Sequence, residues 1–411
     1  MWKTRALAAG MAGDRVREMA DRCPYVQRGP VVNLSDLRQA FPVGPVAVVP
    51  TLRGHSLDHF PEQESPTMSR RRAFLRIAFA IAPVVALVAA CGSEPDAGSD
   101  SGTFVLKVTD PGNSGPLAVG KRDGLFDAAL APLGAKVEWV NTTPGFSSNL
   151  KLFNTGELDV SGAAFSPVVG ALSKDVGVRI VAVQDPAGKD QSGIIATPQS
   201  GIRSVQDLVG KRVAVNPAAK GEYILLRALA QAGVPADQVT RVPLQQKEAA
   251  SAFATGKVDA WASFLVPYQE AKANGGVEIA TEASIGSRDN TVVVFRTEVL
   301  DERPDIAAKY LEVLQQLSER QRANPAEFEN VFEQTGPRAL SGQRLADALR
   351  VGGEATVPHL PDQEDAEALA DVVDIFLANG VISRAITPAD IFYDLRAKLT
   401  RDQLAAVRAG S

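Results

Sequence analysis

The sequence predicts an α/β fold in two lobes, each a parallel or mixed sheet flanked by helices, with a ligand cleft between them and a helical C-terminal part. Three observations predict it. Short apolar, β-branched runs alternate with helical stretches from Phe104 to about residue 289, the pattern of a sheet wrapped by helices. Two stretches 100 residues apart echo each other: Phe153-Asn154-Thr155-Gly156-Glu157-Leu158-Asp159-Val160 and Phe253-Ala254-Thr255-Gly256-Lys257-Val258-Asp259-Ala260. A strand signal at 291–295 follows the second series, and after it the chain reads as helix. With 411 residues, the chain is long enough for two domains and a tail.

Taken in order, residues 104–108 read as a buried strand, followed by a Gly/Pro/Asn loop from Asp110 to Gly115 and a helix over 116–121. Strands recur at 136–140, 158–161, 179–183 and 193–197. At 198–210 the unit changes. Ser204-Val205-Gln206-Asp207 is a capping-box variant opening one short helix, and Gly210 stops it. The strand 212–215 begins the second series. A shorter echo pairs Val108-Thr109-Asp110-Pro111 with Ala214-Val215-Asn216-Pro217, each followed by a glycine (Gly115, Gly221) and a helix. Gly156 and Gly256 suit the position just past a helix, where positive φ is wanted. Pro167 and Pro267 suit the first turn of the next helix, where a missing N–H costs little. Beyond Pro304, Ile306, Tyr310, Val313, Leu314 and Leu317 mark one helical face. Asn324-Pro325 predicts a helix to residue 334, with further helices over 342–351, 364–378 and 388–399. The expected division is 103–197 for the first part of lobe I, 198–289 for lobe II, and 290–411 for the lobe I return strand and C-terminal helices.

Ahead of this body lies a targeting segment. Met68 opens the basic stretch Ser69-Arg70-Arg71-Arg72-Ala73-Phe74-Leu75-Arg76. An apolar run from Ile77 to Ala90 ends in Val88-Ala89-Ala90-Cys91, before polar Gly92-Ser93-Glu94-Pro95. A positive end, a short apolar core and small residues before a cut site describe an export signal. The uncharged run falls short of the ~20 residues that span a bilayer. Its small-small-Cys ending resembles a lipobox, in which Cys91 is acylated and anchors the mature chain to the membrane. Arg71-Arg72-Ala73-Phe74-Leu75 also resembles a twin-arginine motif, so two export routes stay open. Such a signal normally begins a chain. Translation is therefore expected to start at Met68, which would leave 1–67 outside the translated protein; a genuine, disordered N-terminal extension over 1–67 is the alternative. Residues 68–90 are then the signal peptide, and the Gly/Ser/Asp/Pro-rich stretch 91–102 is a flexible tether.

Composition narrows the chemistry. The net charge is −5, and residues 91–411 hold 31 Lys and Arg against 41 Asp and Glu. That balance argues against nucleic acid, whose binding is dominated by phosphate neutralisation. Three histidines (His55, His59, His359) and two cysteines (Cys23, Cys91) give a zinc or thiol site little to draw on. The mature body has one histidine, His359, tied to no nucleophile elbow, and no glycine-rich loop ends in Gly-Lys-Ser/Thr. No catalytic constellation emerges, and no metal or cofactor is expected. Asp159 and Asp259 would pair for acid/base work only if the lobes met there; their repeated place at the head of a strand favours a structural role.

Ligands of open α/β sheets bind outside the carboxyl ends of the strands. Four loops then surround one cleft: 110–116, 162–167, 216–223 and 261–267. Their small, neutral residues offer backbone N–H groups near helix starts, which attract anions. The candidate contacts are Gly112, Asn113, Ser114 and Gly115 in the first loop; Ser161, Phe165 and Ser166 in the second; Ala219, Lys220, Gly221 and Tyr223 in the third; and Trp261 and Phe264 in the fourth. Ser263 adds a further neutral donor. Phe165, Tyr223, Trp261 and Phe264 are expected as apolar walls. Lys220 and Arg288 are possible anion partners. Asn290 is placed where the returning segment meets the cleft.

These residues resemble the aliphatic sulfonate-, nitrate- and taurine-binding proteins of ABC importers, and the related family that binds thiamine-pyrimidine precursors. The resemblance spans about 104–400. It rests on the first strand and its loop, Gly124-Leu125-Phe126, Lys136-Val137-Glu138-Trp139-Val140, Gly156-Glu157-Leu158-Asp159, the stretch Ile202 to Val215, and Gly256-Lys257-Val258-Asp259-Ala260-Trp261. It implies a type II periplasmic-binding-protein-like fold that closes on a small-molecule ligand, a monomer that serves an ABC permease and ATPase. The related family also implies a pyrimidine-precursor enzyme as an alternative, and a ligand-sensing module for a membrane receptor is another. Two departures bear on the ligand. Sulfonate-type members often carry Trp-Asp-Pro where this chain has Leu265-Val266-Pro267. They often carry Thr-Gly-Asp near Gly162-Ala163-Ala164-Phe165-Ser166-Pro167. Loss of both acids makes the cleft more apolar.

Overall fold

The computed structural model describes residues 102–188 and 190–407. The extension 1–67, the signal peptide 68–90, Cys91 and all but the last residue of the tether lie outside the described residues. Ten strands are described: β1 (Phe104–Thr109), β2 (Ala135–Val140), β3 (Val160–Ala164), β4 (Val178–Gln184), β5 (Ser192–Ala196), β6 (Arg212–Val215), β7 (Thr240–Pro243), β8 (Ala260–Phe264), β9 (Val277–Thr281) and β10 (Thr291–Arg296). They form two five-stranded sheets, ordered β2-β1-β3-β10-β4 and β7-β6-β8-β5-β9. In the first, β1 is parallel to β2 and β3, while β10 runs antiparallel to β3 and β4. In the second, β6 is parallel to β7 and β8, and β5 runs antiparallel to β8 and β9. Even the irregularities match. The register slips once between β10 and β4, at Val293/Val294, and once between β5 and β9, at Ile194/Ile195.

In each sheet the fourth strand, β10 or β5, is the one that directly follows a crossing. The chain crosses between Gln184 and Ser192 and returns between Thr281 and Thr291. The expected boundary at 197/198 falls too late, because the strand expected at 193–197 belongs to the second sheet. All five residues of β5 are buried, and a strand covered on both faces carries no alternation to say which sheet it joins. The better marker was the turn chemistry of Asp185-Pro186-Ala187-Gly188.

Helices α1 (Pro116–Arg122), α2 (Leu125–Leu130), α3 (Leu150–Asn154), α4 (Phe165–Leu172), α5 (Lys220–Ala232), α6 (Gln246–Ala254) and α7 (Leu265–Ala273) connect the strands. After β10 come α8 (Thr297–Glu302), α9 (Pro304–Ala323), α10 (Gly342–Gly353), α11 (Gln363–Ala378), α12 (Pro388–Ile391) and α13 (Arg401–Ala406). Gly156 and Gly256 follow α3 and α6 at φ 67° and 68°. Pro167 and Pro267 take the third position of α4 and α7. The Ser204 capping box forms, with the Asp207 carboxylate accepting the Ser204 amide at 2.9 Å.

Two expected helices are cut short. After one 3₁₀ turn over Pro325–Phe328 the chain leaves helical geometry. Asn330 sits at φ 54°, and its side chain instead holds the backbone of Leu340, accepting from its amide at 2.7 Å and donating to its carbonyl at 2.9 Å. The helix expected over 388–399 stops at Ile391. The edge of β4 takes the backbone: Phe392 bridges Ile180, and the Tyr393 amide donates to the Ile180 carbonyl at 2.9 Å.

The apolar core is continuous from lobe to lobe. Phe165, Val168 and Val169 of α4, Tyr223, Ile224 and Leu225 of α5, and Leu369, Val372 and Phe376 of α11 pack in one cluster. A second cluster fills the first lobe under α9, where Ile306, Tyr310, Val313, Leu314 and Leu317 are all buried. Among the described residues, no helix is long and apolar enough to cross a membrane.

Candidate functional site

The carboxyl ends of β1, β3, β6 and β8 bring the four expected loops to one edge of each sheet. Two residues there hold backbone conformations that side chains rarely adopt: Ala218 at φ 49° and Leu265 at φ 56°. Such strain persists only where the surroundings over-determine it, and it clusters at ligand clamps. Leu265 is pinned by its amide, which donates to the Gln191 carbonyl at 2.7 Å, yet its side chain is 59% exposed, with Val266 at 54%. Gly162 is exposed in β3, with no atom within 4 Å of where a Cβ would stand. These open positions, with exposed Ser114 and half-buried Phe264 and Ala163, are among the accessible residues of the four loops.

The structure places many of the other candidates elsewhere. Trp261, expected as a wall, is a core residue against Phe253. Tyr223 is buried against Phe376, its hydroxyl donating to Asp371 at 2.7 Å. Phe165 is buried and packs edge-on against Phe392. Ala219 is buried. In a strand or helix covered on both sides, sequence does not say which way an aromatic points. The donors are mostly engaged. Asn113 donates to the carbonyls of Glu333 and Arg338 and accepts from the amides of Phe332 and Glu333 at 2.9 and 2.8 Å, so it ties down the segment after Phe328. The Gly115 amide donates to the Phe328 carbonyl, and the Gly112 amide to Asp110. Ser161 donates to the neighbouring Gly162 carbonyl. The Gly221 amide donates to Asn216 at 2.7 Å. Buried Ser263 contacts Gln246, and Arg288 donates to the Glu364 carbonyl. Asn290 donates to Asp185 at 3.2 Å, clasping the two crossings together.

At the crossings, Ser166, Lys220, Glu282 and Asp289 form one network, in which Ser166 and Asp289 are buried and the Lys220 and Glu282 side chains are partly exposed. The Asp289 carboxylate accepts from the Ser166 amide at 2.8 Å and from its hydroxyl at 2.6 Å. The Lys220 ammonium lies 2.7 Å from Glu282 and 3.7 Å from the Asp289 carboxylate, and it donates to the Asp289 carbonyl at 3.2 Å. Burial pushes the Asp289 carboxyl above its ordinary range, against the pull of Lys220 and Ser166. Burial alone would lower Lys220, but Glu282 and Asp289 hold it above its usual value. A cavity of about 190 Å³ adjoins the network, lined by Pro186, Glu282, Ala283, Gly286, Ser287 and Asp289. Sequence reasoning named Lys220, Ser166 and Asn290 here but missed Asp289 and Glu282. The available signal was a charged residue directly before Asn290 in a crossing segment.

Other clusters have structural explanations. Asp159 and Asp259 sit at the heads of β3 and β8, remote from the carboxyl ends, and each binds the neighbouring strand. His359, Asp362 and Asp365 offer ligand atoms within 4.8 Å of one another. The carboxylates, however, close the cap of α11: Asp362 accepts from the Glu364 and Asp365 amides, and Asp365 from the Asp362 amide. A wider groove of about 640 Å³ runs between α2 and α9, on the outer helical layer.

Comparison with known proteins adds the following. The family described as NMT1/THI5 like matches residues 113–328. A putative aliphatic sulfonates-binding protein of Bacillus subtilis (strain 168) is 29% identical over 232 residues, 56% of this chain and 69% of that protein. Another, from Escherichia coli (strain K12), is 31% identical over 150 residues, 36% of this chain and 46% of that one. Among solved structures, the alkanesulfonate-binding protein from Xanthomonas axonopodis pv. citri bound to MOPS superposes with a TM-score of 0.61 at 21% identity, covering 73% of this chain and 99% of that one. At that identity the likeness speaks to the fold.

Proposed function

The chain belongs to the NMT1/THI5-like family, and from that premise we propose that it is an extracytoplasmic solute-binding lipoprotein of an ABC importer, which captures a small molecule between its lobes and delivers it to the permease. The observation that carries this reading is the pair of sheets with one strand order, joined by two crossings, each with the strand that follows a crossing in the same fourth place. Two lobes joined by two crossings can turn about those crossings and shut on a solute. The names of the relatives supply sulfonates as the first ligand class to try. The binding surface is built from the accessible positions around exposed Ser114, Gly162, Leu265 and Val266 and half-buried Phe264. Permease and ATPase subunits are the partners, and Cys91 carries the lipid.

In this reading the protein catalyses nothing. His359, the one histidine of the mature body, pairs by backbone with Val183, and its ring lies 3.7 Å from Asp365 in a helix cap. A histidine so placed serves the fold and activates no nucleophile.

The test is a thermal melt of residues 92–411 against alkanesulfonates, nitrate, pyrimidines and amino acids. The right solute at 100-fold excess over its Kd stabilises the protein by about 2.7 kcal/mol and raises Tm. A panel without a single shift, or turnover of any member, counts against the proposal. In cells, Cys91→Ala leaves the exported protein unacylated, read as loss of partition into detergent phase.

A further inference from the structure

The start of α4 is where this architecture would meet the charge of an anion. It follows the carboxyl end of β3, and a helix start gathers unpaired N–H groups. Here those groups are already matched. The Phe165 amide donates to the Asn290 carbonyl at 3.3 Å, the Ser166 amide to Asp289 at 2.8 Å, and Pro167 has no N–H. The Ser166 hydroxyl donates to the second oxygen of the same carboxylate. Asp289 is completely buried, so its charge is fixed by its neighbours and not by solvent. From the other lobe, Lys220 at the first position of α5 reaches the same spot, but it is shared with Glu282. One ammonium thus faces two carboxyl groups, Glu282 at 2.7 Å and Asp289 at 3.7 Å, and has no capacity left over for a second anion. Glu282 and Asp289 also line the adjoining cavity, together with Ser287.

We propose that Asp289 occupies from within the place an anionic solute would take at the start of α4, and so turns the cleft against anions: the solute of this protein presents a hydrogen-bond-donating group without negative charge there, and alkanesulfonates are refused. The proposal rests on the solute-binding reading above and names its substrate class. A ligand carboxylate or sulfonate would have to displace a buried side chain held by two short hydrogen bonds, then sit beside Glu282. A neutral or cationic donor group needs no displacement and finds the Glu282 carboxylate, 13% exposed beside the cavity, to accept from it.

The experiment measures ethanesulfonate binding calorimetrically in the wild type, Asp289→Asn and Asp289→Ser. Asparagine keeps the shape and an oxygen for the Ser166 amide, so it guards against loss of the fold; melting curves confirm that each variant is folded. The wild type is expected not to bind ethanesulfonate detectably, and both variants to bind it at least tenfold more tightly. Equal binding by the wild type and Asp289→Asn overturns the proposal, as does no gain in a folded variant. The solute-binding reading is judged separately, by the wild type's response to the uncharged and cationic members of the panel. A wild type that binds sulfonates leaves that reading standing and sinks this one.

Discussion

Asp159 and Asp259 hold equivalent places in the two sheets, and the two sites are wired almost identically. Asp159 accepts from the Lys107 amide at 3.0 Å, and its own amide donates back to the Lys107 carbonyl. Asp259 does the same with Arg212, at 2.8 Å. At the opposite ends of the same strands the lobes part company. After β1, Asn113 reaches outward to hold residues 332–338; after β6, Asn216 turns inward to cap Gly221. After β3, α4 meets a buried carboxylate; after β8, α7 opens on exposed Leu265 and Val266. Strand pairing demands the same devices in both lobes, so the amino ends stay alike. The carboxyl ends are where the proposed site lies, and strand pairing leaves the chain free to differ there.

The amino ends match in wiring but not in burial. Asp159 is 3% exposed and also takes a hydrogen bond from Arg296, itself 26% exposed; Asp259 and its partner Arg212 are 28% and 48% exposed. Asp159→Ala removes a buried carboxylate from the Lys107 amide and from half-buried Arg296, which keeps only a 3.5 Å contact to exposed Glu298, and is expected to cost about 3 kcal/mol in urea unfolding. Asp259→Ala removes a solvent-screened pair and is expected to cost about 1 kcal/mol or less. Equal costs would break the distinction. Hydrogen bonding from Arg212 holds the Asp259 carboxyl below its usual range. Its contribution is therefore present above the unfolded pKa and lost as pH falls through the lower folded value. The gap between the wild type and Asp259→Ala should narrow once the pH drops below about 4.

A sharper contrast separates the seam between the lobes from the open wall of the cleft. At Gly170 in α4, a Cβ would stand 2.0 Å from the Ala218 carbonyl oxygen, in the loop after β6. Backbone meets backbone there, with no flexible side chain to give way. Gly170→Ala is expected to cost about 1–3 kcal/mol by overpacking. Gly162→Ala, with open space around it, is expected to change stability by less than about 1 kcal/mol in either direction. Urea melts of both variants decide the matter; a neutral Gly170→Ala would mean the lobes are not in contact at that point.

Much of the scaffold was legible in the sequence because its cues are local. The Thr-Gly pairs, Pro167 and Pro267, and the Ser204 capping box each act within a few residues, and each lies where its chemistry requires. The site was less legible because its contacts are not local. Ser166 and Asp289 are 123 residues apart and meet only once β10 has returned to the first sheet. Trp261 and Tyr223 lie next to cleft loops in sequence, yet both point into the core, since elements covered on two sides show no alternation between inside and outside. The helix expected after Asn324 had a sound start signal, but the chain turns extended at Glu329, and Asn330, at positive φ, holds Leu340 instead of a helical turn.

The smallest expected effect tests the symmetry most directly. Gly156 and Gly256 close equivalent helices at φ 67° and 68°, where an L side chain is strained by its own backbone whatever surrounds it. The surroundings differ: a Cβ at Gly156 would touch the Arg296 guanidinium at 3.7 Å, an ordinary contact, while Gly256 has no atom within 4 Å. If backbone conformation sets the cost, Gly156→Ala and Gly256→Ala should each lose about 1 kcal/mol, equal to within about 0.5 kcal/mol in urea unfolding. A clearly larger loss at Gly156 would mean that Arg296 had been pushed off Asp159, so that the buried pair, absent from the second lobe, senses the helix end beside it.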